Sequence, residues 1–262
     1  MRLRLATWNI NSVRLRLDQI ARFVAEQAPD VLCLQEIKCQ NGEFPTEAFE
    51  AMGLPHLVIR GQKSYHGVAI ASRLPIEEGM DLDLCREGHA RTAAVKVAGV
   101  EIHNFYIPAG GDEADRVANP KFDHKMDFFE RLTADMAKRD PKAPLILTGD
   151  LNVAPGENDV WSHKQMLKVV SHTAIEIETL QRFADAHGWA DLGRQHIPAP
   201  ERNWTWWSYR TYWQEKDRGR RLDHMWASPS LSAQSVSHRI VEETRRWDQP
   251  SDHVPLITEF SL

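Results

Sequence analysis

Cysteine is scarce in this 262-residue chain: Cys33, Cys39 and Cys85 are scattered and form no CxxC pair. That excludes a disulfide framework and fits a reducing compartment. The shortage of suitably spaced Cys and His also speaks against a structural zinc site. No run approaches the roughly 18 apolar residues of a membrane span. Met1 to Leu5 alternates arginine and leucine, the start of a strand and not the continuous apolar core of a signal peptide. A cytoplasmic protein without a membrane partner is therefore expected. Positive charge is not in excess either: 32 Lys and Arg against 37 Asp and Glu give a formal charge of -5. A simple electrostatic binder of nucleic acid would be basic. However, acidic residues gathered on a metal would hide a basic cleft from the sum. Repeats, low-complexity tracts and linkers are all missing, so residues 1–262 are expected to form one domain.

What is present is a succession of short apolar runs with helical stretches between them. Strands are predicted at Leu3–Trp8, Val31–Gln35, Gly67–Ser72, Ala93–Val97, Val100–Ile107, Pro144–Thr148, Trp204–Trp207, Leu222–Trp226, Ala233–Ile240 and Val254–Phe260. Leu17, Ile20, Ala21, Val24 and Ala28 follow helical spacing up to Pro29, and Met126, Phe129, Leu132 and Met136 mark a second helix face. Short helices are predicted at Thr46–Met52 and Ile177–His187. Pro108 to Pro120 reads as a loop and Val153 to Thr173 as a long irregular segment. Hairpins mixed with helices suggest α/β layers and not a pure doubly wound sheet.

Several strands end in, or begin beside, an oxygen-bearing side chain. Leu3–Trp8 runs into Asn9 and Asn11, Val31–Gln35 into Glu36, Val100–Phe105 into Tyr106, and Pro144–Gly149 into Asp150 and Asn152. Asp223 lies in its own strand, and Asp252-His253 precedes another. Each alone reads as a turn former or helix cap. Together they supply the oxygen donors a hard cation such as Mg²⁺ needs, on rigid strand ends. In an extended segment Asp150 and Asn152 would share a face with Leu151 turned inward. Asp252 and His253, being adjacent, would serve different partners, with Asp223 placed to hold the His253 tautomer.

The ordered motifs Trp8-Asn9-Ile10-Asn11, Leu34-Gln35-Glu36-Ile37-Lys38, Tyr106-Ile107-Pro108, Gly149-Asp150-Leu151-Asn152, Arg221-Leu222-Asp223-His224 and Ser251-Asp252-His253 resemble the exonuclease III family of apurinic/apyrimidinic (AP) endonucleases. That family belongs to the endonuclease–exonuclease–phosphatase superfamily. The resemblance covers nearly the whole chain. It implies a four-layer α/β sandwich, two packed mixed β-sheets flanked by helices. It also implies Mg²⁺-dependent hydrolysis (Mn²⁺ as substitute) of the phosphodiester 5′ to abasic sites in double-stranded DNA, and 3′→5′ removal of nucleotides or blocking groups from 3′ ends, by a monomer. The implied catalytic set is Tyr106, Asp150, Asn152, Asp223 and His253. The implied metal set is Asn9, Glu36, Asp150, Asn152, Asp252 and His253, with Glu36 the main ligand.

Between Trp204 and Arg221, aromatic residues (Trp204, Trp206, Trp207, Tyr209, Tyr212, Trp213) interleave with basic ones (Arg210, Lys216, Arg218, Arg220, Arg221). This suits base stacking with phosphate contact. Arg14, Lys38, Trp206, Arg210, Arg218 and Arg220 are the DNA-binding candidates, and family match favours Trp206 over Trp207 as the pocket aromatic. Lys63 and Arg91 are expected to extend the positive rim. Two rival readings are a superfamily phosphatase acting on inositol phosphates or lipid headgroups, and a non-catalytic nucleic-acid-binding relative. The second should have lost catalytic residues, and none is missing.

Overall fold

The computed structural model describes residues 1–80, 82–210 and 213–262. Its strands are β1 Arg2–Asn9, β2 Val31–Gln35, β3 His56–Arg60, β4 Val68–Ser72, β5 Glu78–Met80, β6 Thr92–Val97, β7 Val100–Tyr106, β8 Leu145–Asp150, β9 Ala190–Asp191, β10 Asp223–Ala227, β11 Ser235–Ile240 and β12 Leu256–Ser261. They form two six-stranded mixed sheets, ordered β11-β12-β1-β2-β4-β3 and β5-β6-β7-β8-β10-β9. The first five α-helices along the chain are α1 Leu17–Gln27, α2 Thr46–Ala51, α3 Pro120–Met136, α4 His163–Met166 and α5 Ala174–His187.

The layering follows from strand periodicity. In β1, Leu3 and Leu5 point into a core with Val31 and Cys33 of β2 and with Val95, Ile102, Ile146 and Met225 of the other sheet. Ala6 and Trp8 point the opposite way, onto Ile20 and Phe23 of α1 and Phe49 of α2. Successive side chains in a strand face opposite sides. In the second sheet, Ile146 enters the shared core, while Leu145 and Leu147 pack against Phe122, Phe128 and Phe129 of α3 and Phe183 of α5. Three apolar interfaces thus make four layers: helix, sheet, sheet, helix. Each fully buried large apolar side chain contributes about 1.5–3 kcal/mol.

The two sheets also share a polar stitch. Asn104 of β7 donates to the carbonyls of Leu34 (3.0 Å) and Ala69 (3.0 Å) across the interface. Gln35 donates back to Asn104 (2.6 Å) and to Thr7 (2.9 Å).

Local signals explain most boundaries. Ala98 (φ 52°) and Gly99 (φ 79°) are both left-handed between β6 and β7, as a two-residue type I′ hairpin requires. Asn119 caps α3 ahead of Pro120, and Thr173 with Glu176 forms a capping box on α5, which Gly188 ends. Three differences from the sequence reading stand out. Trp204–Trp207 is not a strand: Trp206 makes isolated bridges to Arg220 and His253 within a loop. The last strand starts at Leu256, because Val254 and Pro255 are drawn off by Thr205 and Val241. β3, a half-buried edge strand, gives no alternation to read.

Candidate active site

Pairing in the two sheets brings the oxygen-bearing ends together. In the first sheet parallel β1 and β2 place Asn9 opposite Gln35, with Glu36 next along. In the second sheet parallel β7 and β8 place Tyr106 opposite Asp150, and antiparallel β10 places Asp223 on the other side of Asp150. A cleft of about 260 Å³ opens where these ends meet, lined by Glu36, Tyr106, Asp150, Asn152, Trp206, Arg220, Asp252 and His253 among others.

The Asn9 amide bridges the sheets: its Nδ2 donates to Glu36 Oε1 (3.1 Å) and to Asp150 Oδ2 (3.0 Å). The Tyr106 hydroxyl donates to the same Glu36 oxygen (2.8 Å). Lys38 Nζ lies 2.9 Å from Glu36 Oε2 and donates to Asn11 Oδ1 at 2.6 Å. Burial opposes ionisation of Glu36, but the Lys38 ammonium and the Asn9 amide outweigh it and hold the carboxyl below its usual range. Burial, then the charges of Glu36 and Asp150, push the Tyr106 phenol well above its usual range, so it stays a proton donor.

Asp150 is 1% exposed. Burial pushes its carboxyl up to about 7, with His253 opposing and Asp223 reinforcing the rise. His253 Nδ1 sits 2.8 Å from Asp223 Oδ2, and Nε2 sits 3.8 Å from Asp150 Oδ2. Burial alone would lower the imidazole, but the carboxylates of Asp223 and Asp150 outweigh it and raise His253 to about 10. The two carboxylates therefore favour the protonated ring, held by Asp223 as the motif spacing suggests. Asp252 also lines the cleft but serves other partners, accepting from Asn11 Nδ2 (3.0 Å) and from Trp206 Nε1 (3.0 Å).

The Asp150–Asn152 expectation needs correction. The chain is not extended here: Gly149 (φ 127°) and Asn152 (φ 54°) turn it sharply. A Cβ on Gly149 would sit 2.0 Å from the Phe105 carbonyl oxygen, so only glycine lets β8 approach β7 this closely. Leu151 is buried as expected. Asn152 instead donates its side-chain amide to the Ile107 carbonyl (2.9 Å), and its backbone N–H caps Asp150 Oδ1 (3.0 Å). It still lines the cleft.

The basic and aromatic candidates divide. Trp206 lines the cleft and Arg220 stacks over its ring at 4.9 Å, while Trp207 is fully buried core. Arg218 stacks over Trp161, Arg14 lies 3.5 Å from Glu43 on the surface, and Arg210 is exposed; none of these three lines the cleft. Tyr212 lies outside the described residues. Two arginines expected at the surface are buried. Arg221 binds Asp159 and Asp191 through its guanidinium, and Arg91 lies under the Tyr106 ring (4.8 Å) with Nη1 on the Tyr106 carbonyl (3.1 Å). Their partners are remote in sequence, so no local pattern marks them.

Sequence reading missed the groups that hold this set in place. Thr205 Oγ1 donates to Asp223 Oδ2 (2.6 Å) and accepts from the Asp223 N–H (3.0 Å). Ser251 Oγ donates to the Asn9 carbonyl (2.7 Å), joining the last motif to the first. Fully buried Lys125 of α3 pairs with Glu176 and donates to the carbonyls of Asn152 (2.8 Å) and Ala109 (3.3 Å).

The donor set fits a divalent metal ion. Half-buried Glu36 and buried Asp150 are two carboxylates sharing one amide donor, and Asp223 Oδ1 is buried with no hydrogen-bond partner. Asp150 and Asp223 offer carboxylate oxygens within 4.8 Å of each other, while the His253 ring, protonated beside them, serves as a donor and not as a ligand.

The sequence matches the Endonuclease/Exonuclease/phosphatase family over residues 6–253. It is 30% identical to exodeoxyribonuclease III of Haemophilus influenzae, across 97% of this chain and 98% of that one. Among solved structures, it superposes on an AP endonuclease from Archaeoglobus fulgidus with TM-score 0.93 and 32% identity, covering 99% of this chain and 100% of that one. It superposes on the 3′ phosphatase NExo from Neisseria, bound to a product DNA hairpin, with TM-score 0.91 and 34% identity, covering 99% and 100%.

Proposed function

Because the chain belongs to the Endonuclease/Exonuclease/phosphatase family, among its exodeoxyribonuclease III relatives, we propose that it is a DNA-repair phosphodiesterase. It cuts the phosphodiester 5′ to abasic sites in duplex DNA and removes nucleotides or blocking groups from 3′ ends. It works as a cytoplasmic monomer, residues 1–262 forming one domain. Its preferred cofactor is Mg²⁺, with Mn²⁺ as substitute, because the donors at Glu36, Asn9, Asp150, Asn152 and Asp252 are oxygen-rich. When bound, the cation neutralises phosphate charge and polarises the reacting oxygen.

The observation that carries this reading is the pair of opposed groups in one cleft: the buried Asp150 carboxyl and, 3.8 Å from it, the His253 ring held by Asp223 at 2.8 Å. Asp150, deprotonated, takes the proton of the attacking water, a role worth roughly 10²–10⁴-fold in rate. His253 has Nδ1 committed to Asp223, so Nε2 is the atom that donates to a phosphate oxygen. The neutral Tyr106 phenol donates to charge developing beside Glu36. Trp206 backed by Arg220 supplies a flat, cationic wall for a nucleoside, which an inositol phosphate would not need.

The test is a labelled duplex with one abasic site, incubated with wild type or Asp150→Asn, in Mg²⁺ or in EDTA, beside an inositol-phosphate arm. Wild type should incise in Mg²⁺ and not in EDTA, with Asp150→Asn slower by roughly 10²–10⁴-fold. Incision that survives EDTA would rule out the metal. Faster turnover of the inositol phosphate would replace DNA as substrate.

A further inference from the structure

A second group of potential ligands lies outside the cleft lining. Glu87 and His89, from the segment before β6, meet His124 of α3, and their ligand atoms all lie within 4.8 Å of one another. Glu87 Oε2 is 3.4 Å from His124 Nδ1 and 3.5 Å from His89 Nδ1. A hydrogen bond would bring such atoms to about 2.7–3.2 Å. Ligands held about 2.0–2.1 Å from a tetrahedral zinc ion stand roughly 3.3–3.4 Å apart. His89 Nδ1 is buried with no hydrogen-bond partner, an atom oriented for something it does not touch.

We propose that Glu87, His89 and His124 form a second metal site for a borderline divalent transition ion of the Zn²⁺ type, leaving one position for water or an anion. Two imidazoles and one carboxylate suit zinc chemistry and not magnesium, which prefers oxygen throughout. The far nitrogen of His124, Nε2, lies 3.2 Å from Cys85 Sγ. With its proton on Nε2 and the sulfur accepting, the ring presents an Nδ1 lone pair to the ion, the arrangement that orients metal-binding histidines generally. The nearby cations are already engaged: Arg86 pairs with Asp123 at 2.7 Å and Arg91 stacks on Tyr106. Glu87 has 45% of its side chain exposed, which gives an ion a way in. The histidines come from separate elements, so the spacing argument against zinc does not reach them. The His66 ring stands 4.6 Å from His89 and 5.9 Å from Tyr106, so the site adjoins the cleft without sharing its lining.

The full chain is dialysed against Co²⁺ in a large excess of Mg²⁺, and retained cobalt is measured by elemental analysis and visible absorption. One equivalent should be retained with tetrahedral-type bands. It should be lost in His89→Ala and in Glu87→Gln, an exposed position where folding is preserved. It should persist in His253→Ala, which removes the imidazole of the cleft. Cobalt that Mg²⁺ displaces, or that survives both Glu87→Gln and His89→Ala, overturns the proposal.

Discussion

Replacing Lys125 with methionine should destabilise the protein more than any surface substitution and disturb the cleft without touching it. The ammonium is fully buried and engages Glu176, the Asn152 carbonyl and the Ala109 carbonyl. Methionine fills similar volume but offers no donor. The Glu176 carboxylate keeps the N–H groups of Ser171 and Thr173 and the Thr173 hydroxyl, yet loses its only counter-charge among its hydrogen-bond partners. Removing one partner of a buried ion pair costs about 3–5 kcal/mol. Against a total stability of roughly 5–15 kcal/mol this is a large fraction, and in a chain of this size it lowers Tm on the order of 10 °C. Adding Glu176→Gln should recover roughly 2–3 kcal/mol, because the orphaned charge is then gone. Denaturant melts of wild type, both singles and the double complete the cycle. A Lys125→Met loss under about 1 kcal/mol, or additive singles, would refute the idea that the pair holds loops 107–111 and 149–154 together. In the folded fraction, turnover should fall about tenfold or more, since displacing reacting groups by about 1 Å can cost 10²-fold.

Tyr106→Phe removes the hydroxyl on Glu36 and should lower kcat roughly 10²–10³-fold in the abasic-duplex assay while far-UV circular dichroism is unchanged. Arg221 and Arg194 outweigh burial at Asp159 and hold its carboxyl down at about 2. Asp159 therefore binds fewer protons folded than unfolded, so its contribution is complete above about pH 4 and lost as pH falls through 2, roughly 2–3 kcal/mol in all. The stability gap between wild type and Asp159→Asn should shrink by that amount between pH 5 and 2 in urea melts; an unchanged gap would mean the pairing is inert. Gly149→Ala forces its Cβ against the Phe105 carbonyl at a left-handed φ and should cost at least 3 kcal/mol or abolish folding, as read by thermal denaturation.

Legibility in the sequence tracked how local the cause was. β1, β2, the β6–β7 hairpin and α3 are announced by apolar period, by Ala98-Gly99 and by Asn119-Pro120, all within a few residues. Asn9, Glu36, Tyr106, Asp150 and Asp223 could be picked out because each sits at the end of such a strand, and the ends align when the sheets form. Features set by remote partners were opaque. Arg91 and Arg221 looked like surface charge because Tyr106, Asp159 and Asp191 lie far along the chain. Trp204–Trp207 looked like a strand because its aromatic run does not reveal that its backbone bonds scatter to Arg220, Asp252 and Val254, with ladder-type bridges at Trp206 alone among the described residues. Asn152 looked extended because nothing local announces the turn that the Ile107 carbonyl captures.

The groups gathered at the cleft reach from Asn9 to His253, and they come from both sheets. Asn9 of the first sheet bridges Glu36 beside it to Asp150 of the second, and His253 meets Asp223 only when the two sheets are docked face to face. On the proposed mechanism, a chain cut short of His253 should therefore show no nuclease activity. Domains emerge from synthesis N-terminal part first, so a growing chain holds Glu36 and Asp150 long before His253 exists. On that mechanism, the hazard of an enzyme that cuts DNA is confined to its finished form by the order in which its residues are made.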